Sequence, residues 1–368
     1  MEIKKGAYDK AIKVLELCAT PHGFHAAYPG YDAVWARDSM ITSLGASRLG
    51  KKFKNTFKHS LITLAKNQSQ KGQIPNAVDK FSKRKKKTDF KSIDSTLWFI
   101  IGNYIYKKNY NDSSLFNKQK TNLQKALTWL SYQDIAENSM LVQQPNSDWQ
   151  DAFPHNYGHT INTQALYYYV LTLTNNAKEA KKLKKSIDDK EDGLWDEEFF
   201  LPWRWKNHNK YQEKGNWFDS LGNLLSITFN LADKNQSEKI LSHIKKNEIE
   251  KPSPIKSIYP PITKGSKYWH DYFQDCNARA SYHYLNGGIW PFIGGFYILT
   301  LIKQKKFKEA NFQLTKLAEA NMKLKGNFSE WLDGKTGKPS ADGGNQAWNA
   351  GMYILAYLSL EKKKILLP

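Results

Sequence analysis

Two carboxylates three residues apart, Asp148 and Asp151, bracket Trp149 and Gln150 in the segment Asn146-Ser147-Asp148-Trp149-Gln150-Asp151-Ala152-Phe153-Pro154. On a loop, two acids at that spacing point into one cavity. One then binds hydroxyls while the other, desolvated among apolar and neutral neighbours, is kept protonated and acts as an acid. A third carboxylate, Glu330, stands in Phe328-Ser329-Glu330-Trp331-Leu332-Asp333-Gly334. Cleavage of a glycosidic bond needs two such groups, one as acid and one as base or nucleophile, with carboxyls about 6.5–9.5 Å apart for inversion and about 5–5.5 Å for retention. Asp151 is the candidate acid, repelled toward its protonated form by Asp148, and Glu330 the candidate base. Trp35-Ala36-Arg37-Asp38 offers a ring platform, a donor fork and an acceptor within four residues. A sugar uses all three: its C–H face stacks on a ring and its hydroxyls bond to charged groups. The bland alternative for that segment is an Asp38 N-cap with Arg37 in a local ion pair.

Other chemistries find little footing. No Ser-His-Asp order, phosphate-binding glycine loop or His/Cys cluster is present, and the two cysteines, Cys18 and Cys276, build neither a metal site nor a disulfide framework. No metal and no cofactor is expected. Four histidines near the motif loops, His155, His159, His270 and His283, keep open a sugar epimerase or isomerase that uses His pairs as acid and base.

The elements that must position these residues are helices of two alternating kinds. One kind is amphipathic and Lys-rich, over 7–18, 54–68, 115–132, 176–187, 235–247 and 306–322, with apolar residues at three- and four-residue spacing. The other is apolar nearly all round, starting near 37, 92, 158, 217, 287 and 343, and is therefore buried on all sides. Six outer and six inner helices in strict alternation predict an all-α fold with few or no strands, an (α/α)6 toroid of six helical hairpins, as one catalytic domain over 1–368. VQQPN and the stretch around Phe199-Phe200-Leu201-Pro202 are the candidate short strands. Up-down alternation places the loops before the inner helices at one pole. Those loops carry Asp38, Asp94, Asp148, Asp151, Asp219 and Glu330 among Trp35, Trp98, Trp149, Trp217, Trp290 and Trp348. Capping explains Asp94 alone; core packing explains more than half of the tryptophans.

With 40% hydrophobic and 14% aromatic residues the 368-residue chain has ample material for a core, which excludes disorder. Lys+Arg is 55 against Asp+Glu 35, a net charge of +20 that invites a nucleic-acid reading. The distribution argues against it. Lysines crowd into Lys51 to Lys58, Lys83 to Lys87, Lys178 to Lys190, Lys239 to Lys251 and Lys303 to Lys308, which read as solvated faces, with Lys83 to Lys87 as a mobile rim loop. A non-catalytic toroid that binds polyanions is the alternative. The charged N-terminus has no apolar leader region and no run approaches 18 apolar residues, so no membrane segment is expected and the cytoplasm is the expected location.

The motifs VWARDSMITSLGA, GQIPNAV, DSTLWF, DWQDAF, FDSLGNLL, NGGIWPFIGGF, EWLDGKTGK and QAW follow one another in this order. In that set the chain resembles (α/α)6-barrel glycoside hydrolases, in particular the amylo-α-1,6-glucosidase (glycogen-debranching) domain and the alkaline/neutral invertases, over about residues 20–360. The resemblance implies that Asp151 is the general acid, Glu330 the general base, and Trp35, Arg37 and Asp38 the holders of the sugar whose bond is cut. It implies inversion at an α-glucosidic bond of a small oligosaccharide or glucoside. Asp94, Asp148, Trp149, Gln150, His159, Asn286, Trp290, Gln346 and Trp348 are the further candidates for substrate contact. Where the invertases carry His directly before Asn-Gly-Gly, this sequence has Leu285, with His283 two residues earlier. The length leaves room for neither the second catalytic domain nor the N-terminal β-domain of debranching enzymes. The expected partner is a small carbohydrate.

Overall fold

The computed structural model describes residues 2–80, 87–208, 210–275, 280–340 and 344–368. Lys83 to Lys86 of the basic run, Cys276 and Gly343 lie outside the described residues. In chain order the helices are α1 (Glu2–Cys18), α2 (Ala36–Ala46), α3 (Lys54–Lys66), α4 (Asp94–Tyr110), α5 (Ser114–Lys118), α6 (Lys120–Ser131) and α7 (Ile161–Leu173). They continue with α8 (Ala177–Ile187), α9 (Ser220–Thr228), α10 (Lys234–Lys246), α11 (Pro291–Lys303), α12 (Phe307–Gly326) and α13 (Ala347–Glu361). The alternation read from the sequence is present in these helices. Every residue of α2 and α9 is buried. By contrast α8 buries Ala180, Leu183 and Ile187 and turns Lys178, Lys181, Lys182 and Lys185 to water, as a helix with apolar residues at i, i+3 and i+7 must.

The chain forms two compact units. The first comprises Met1–Trp129, Trp290–Trp331 and Lys338–Pro368. Its inner helices α2, α4, α11 and α13 pack on one another, and the closest crossing is α2 on α13. Glycine makes that crossing possible: a Cβ on Gly45 would sit 1.8 Å from the Gly351 carbonyl oxygen, and one on Gly351 would sit 2.5 Å from that of Thr42. Backbones this close leave no room for side chains. The same crossing fixes the N-termini of α2 and α13, where Trp35 to Asp38 and Gln346 to Trp348 stand.

The second unit comprises Leu130–Ile289 and Leu332–Gly337. It holds the pairs α7 with α9 and α7 with α8, locked by Tyr169 stacked on Phe229 with centroids 4.0 Å apart. It also holds most of the strand structure. Residues Trp203–His208 and Tyr211–Lys214 form an antiparallel hairpin that extends from His159–Thr160. The stretch around Phe199 contributes only a bridge, Trp195 to Phe200, and the VQQPN segment another, Gln143 to Gly158.

Short extended segments lead into the inner helices: Val34–Trp35 before α2, His159–Thr160 before α7 and Phe218–Asp219 before α9. The capping reading fails for both Asp38 and Asp94. The N-cap of α2 is Trp35 and that of α4 is Ile93, neither with a side-chain cap bond, so both aspartates lie inside the first turn. Among the described residues no helix is long and apolar enough to cross a membrane.

Candidate active site

In the first unit the site grows from Arg37. This side chain is 4% exposed, and its guanidinium donates to Asp94 at 3.2 Å. Asp94 is wholly buried and accepts a second, short hydrogen bond from the Ser92 hydroxyl. It was expected to touch substrate; instead both its oxygens are turned to Arg37 and Ser92, and it holds the arginine from behind. Asp38 follows, 3.8 Å from Arg37 Nε. Buried charges persist only when paired, and this chain of acid, base and acid meets that condition. Trp35 is the one part-exposed ring among the six motif tryptophans. It meets Tyr31 edge-on at 6.3 Å, and the Tyr31 hydroxyl donates to Glu330 Oε1 at 3.3 Å. Glu330 is 9% exposed. Thus the proposed base, the ring platform and the arginine clamp belong to one packed cluster. Tyr31 was not among the residues singled out beforehand. Its place just ahead of the VWARD run, beside Asp32, was the available signal.

A second group of motif residues stands at the starts of α11 and α13 in the same unit. Trp348 stacks on Phe292 at 4.1 Å and meets Trp290 edge-on at 5.8 Å. Gln346 is 1% exposed and Trp348 5% exposed. Among the described residues the Gln346 side-chain amide N–H and the Trp348 indole N–H meet no acceptor. Buried donors without acceptors cost about 1–3 kcal/mol each, so these two suit a ligand that brings oxygens.

The second unit carries the acid loop. Asn146 donates through its amide to the carbonyls of Gln150 and Pro154, and Asn156 donates to the Gln150 side chain. Gln150 is fully buried; its side-chain oxygen accepts from Asn156, while among the described residues its amide N–H groups meet no acceptor. Asp148 accepts from the Gln150 backbone N–H at 2.9 Å and is 1% exposed. Asp151 is exposed. The burial expected to keep Asp151 protonated falls instead on Asp148 and on Asp219. The Asp148 carboxylate is folded back onto the Gln150 backbone N–H, while Asp151, beyond that turn, is open to solvent. Asp219, also buried, has its pKa pushed up to about 8, first by burial and then by the Asp148 carboxylate; the backbone N–H groups of Leu221 and Gly222 oppose the shift without cancelling it.

Three further residues singled out from the sequence lie in the same unit. Trp149 is packed inside at 2% exposure. His159 is buried, with Nδ1 at 3.2 Å from the Leu141 carbonyl, and burial lowers its pKa. Asn286 was expected to reach substrate. It is wholly buried, and its amide accepts from Ile262 N–H at 2.7 Å and donates to the Ile262 carbonyl at 2.8 Å, which commits it to tying down that segment. Gly287, at φ +86°, turns the chain away behind it. Among the described residues no group of His, Cys, Asp and Glu could hold a metal ion.

The family model for amylo-alpha-1,6-glucosidase matches residues 12–356. The chain belongs to this family. It is therefore a glycoside hydrolase, in agreement with the reading of its loops. A crystal structure of a GH63 mannosylglycerate hydrolase from Thermus thermophilus, in complex with Tris and D-glycerate, is similar with a TM-score of 0.71 at 13% identity, covering 95% of this chain and 99% of that one. A second crystal structure of that hydrolase, with glucose, has a TM-score of 0.66 at 13% identity over 94% of this chain and 98% of that one. A glycosidase variant in complex with glucose has a TM-score of 0.71 at 12% identity over 100% of this chain and 98% of that one. These relatives establish the (α/α)6-barrel fold for this family member. No protein of curated function matches the sequence at a significant level.

Proposed function

We propose that the protein hydrolyses the α-glucosidic bond of a small oligosaccharide or glucoside with inversion, Asp151 acting as general acid and Glu330 as general base. Arg37, Asp38 and Trp35 hold the glucosyl ring whose bond is cut. Gln346 and Trp348 donate to its oxygens. The observation that carries this reading is the cluster around Arg37: a guanidinium pinned from behind by Asp94, an acceptor beside it, and a Trp platform coupled through Tyr31 to the Glu330 carboxylate. Such a cluster presents fixed donors and acceptors to a polyol and keeps a carboxylate oriented beside it. In the reaction Asp151 gives its proton to the leaving oxygen, and Glu330 takes one from the water that attacks the opposite face of C1. Asp151 is exposed in the free protein; a bound sugar covers it and supplies the desolvation that favours its protonated form. The membership of the family supports the α-linkage, since its name is that of an α-1,6-glucosidase. The cytoplasm remains the expected location.

The test is a panel of α-linked disaccharides and simple α-glucosides assayed for released glucose, with Asp151→Asn and Glu330→Gln alongside. Release by the native protein and its loss in both variants, with monosaccharide binding retained, is the expected result. Substantial residual hydrolysis in either variant removes that residue from the mechanism.

A further inference from the structure

Two histidines from distant parts of the sequence meet inside the second unit. His155 follows Asp151 on the acid loop, and His270 leads into a turn of 3₁₀ helix over Asp271–Asp275. Their rings are stacked, with centroids 4.4 Å apart and planes at 29°. The two segments are joined at further points around this stack. Phe153 packs on Phe273 with centroids 4.4 Å apart, and His155 Nδ1 is bonded to the Tyr272 hydroxyl at 2.6 Å. Phe153 and Phe273 are wholly buried. His270 and Tyr272 are exposed, and His155 is half-buried. The join therefore has an apolar pin on the inside and a titratable pair toward solvent.

Charge decides when the pair can hold. Two neutral imidazoles stack as other flat rings do, whereas two imidazolium rings at this distance repel. The groups that face the pair do little to offset that repulsion. On the loop of His155 itself, Tyr157 meets the imidazole edge-on at 5.6 Å. From the opposite segment come Tyr268, Tyr272 and the Lys267 ammonium; Lys214 and Glu213 come from the hairpin strand Tyr211–Lys214. The two oxygens of Glu213 accept from the Tyr157 and Tyr211 hydroxyls, each at 2.9 Å. Asp151, Asp271 and Asp275 are exposed, where water and salt screen a carboxylate. Among the described residues the imidazoles that do pair with carboxylates are elsewhere, His25 with Asp32 and His243 with Glu198. Burial and then His270 lower the pKa of His155. A proton thus binds His155 less readily in the closed pair than in an open one. As pH falls below the ordinary histidine value of 6.5, the open form gains protons that the closed form does not take. The join is fully stable above that value and weakens on the acid side of it.

We propose that the His155–His270 stack is a clasp opened by acid: at neutral pH it pins the Asp271–Asp275 turn onto the loop that carries Asp148 and Asp151, and when both rings are protonated it lets the turn go. The loop is then held by its own hydrogen bonds alone, those of Asn146 and Asn156. This device uses no substrate and no part of the first unit, so it stands or falls apart from the hydrolase reading.

The experiment is hydrogen exchange of the intact protein at about pH 7.5 and about pH 5, on either side of the histidine range, with rates corrected for the intrinsic effect of pH. The native protein is compared with His270→Phe, which keeps a ring in the stack and cannot take a proton. In the native protein, segments 151–157 and 268–275 should exchange about tenfold faster at the lower pH, the scale of one repulsion between neighbouring charges near a surface. Helices α7 and α9 of the same unit should keep their protection. In His270→Phe the two segments should change by no more than about twofold. Equal protection of the native segments at both pH values, or the same loss in His270→Phe, overturns the proposal. NMR titration of the His155 imidazole in the native protein gives a second reading that does not depend on the variant. A midpoint below 6.5 supports the clasp; titration at the ordinary value overturns it, even where His270→Phe fails to close.

Discussion

The interiors of the two units handle buried charge in opposite ways. In the first, Arg37 is set between Asp38 and Asp94, so each buried charge faces an opposite one. In the second, Asp148 and Asp219 repel each other while buried, and Asp219 is driven up to about 8. Alternating charges fix a geometry, because any displacement of one group strands another in a medium of low dielectric. Asp219 holds a proton instead, first because burial disfavours its charged form and then because the Asp148 carboxylate repels it. Holding a sugar calls for the first arrangement. Moving protons calls for an environment such as the second. The first arrangement fits the sugar-holding role proposed for the Arg37 cluster; in the second the protonated carboxyl is that of Asp219, while the proposed acid, Asp151, is exposed.

Removing the proposed acid or base is the harshest test of that division. Asp151→Asn and Glu330→Gln should each lower kcat by about 10²–10⁴-fold, the usual contribution of a positioned acid or base, while KM changes little. Steady-state kinetics check this; a change confined to KM would place either residue among the binding groups.

Next in size is the arginine clamp. Asp94→Ala leaves the buried Arg37 guanidinium without its main partner. Stability should drop by about 3–5 kcal/mol, as for other broken buried pairs, measured by urea unfolding. Asp94→Asn keeps an acceptor and should lose less. Equal losses would mean that the carboxylate charge, and not its hydrogen bonds, holds Arg37.

Under the proposed function Asp38→Ala removes one acceptor from a bound sugar hydroxyl. Affinity for a monosaccharide inhibitor should weaken by about 1–3 kcal/mol, measured by calorimetry. Unchanged affinity removes Asp38 from the sugar contacts.

The last effect sharpens the electrostatic contrast. Asp219 is raised from 3.8 to about 8 in the folded chain. Between those values the folded state holds a proton that the unfolded state has released, so stability falls as pH rises through this window. Asp219→Asn keeps the shape and cannot ionise. Its thermal midpoint should therefore gain on that of the native protein by a few degrees as pH rises across the window, and not at lower pH. A constant difference at all pH values would show that Asp219 is ionised throughout.

Much of this was legible in the residues because helices write their burial into periodicity. The run RDSMITSLGASRL is apolar or small on every side, and it is α2; the run AKEAKKLKKSI is apolar on one side, and it is α8. The W-A-R-D cluster could be read for the same reason, since its residues sit at a helix start where spacing determines direction. Loops carry no such period. At Asp148 and Asp151 the outcome depends on one Asx turn and on Asn146, in the left-handed region at φ +52°, whose amide ties the loop together. Spacing alone therefore gave the two acids the wrong exposures. The hairpin from Trp203 was missed for a different reason. Trp203-Arg204-Trp205-Lys206 alternates aromatic with basic residues at period two, a strand signal that a helical reading of the surroundings passed over. Likewise Asn286 has the look of a ligand contact before a glycine pair, yet buried backbone groups at Ile262 needed a partner and took it.

The central claim, an inverting attack at an α-linkage, is tested most directly by proton NMR of the first-formed sugar during hydrolysis of an α-glucoside by the native protein. The expected result is β-glucose appearing first and then equilibrating to the mixture of anomers. Glucose that appears first as the α-anomer would contradict it, since retention needs a carboxylate nucleophile in place of a water activated by Glu330.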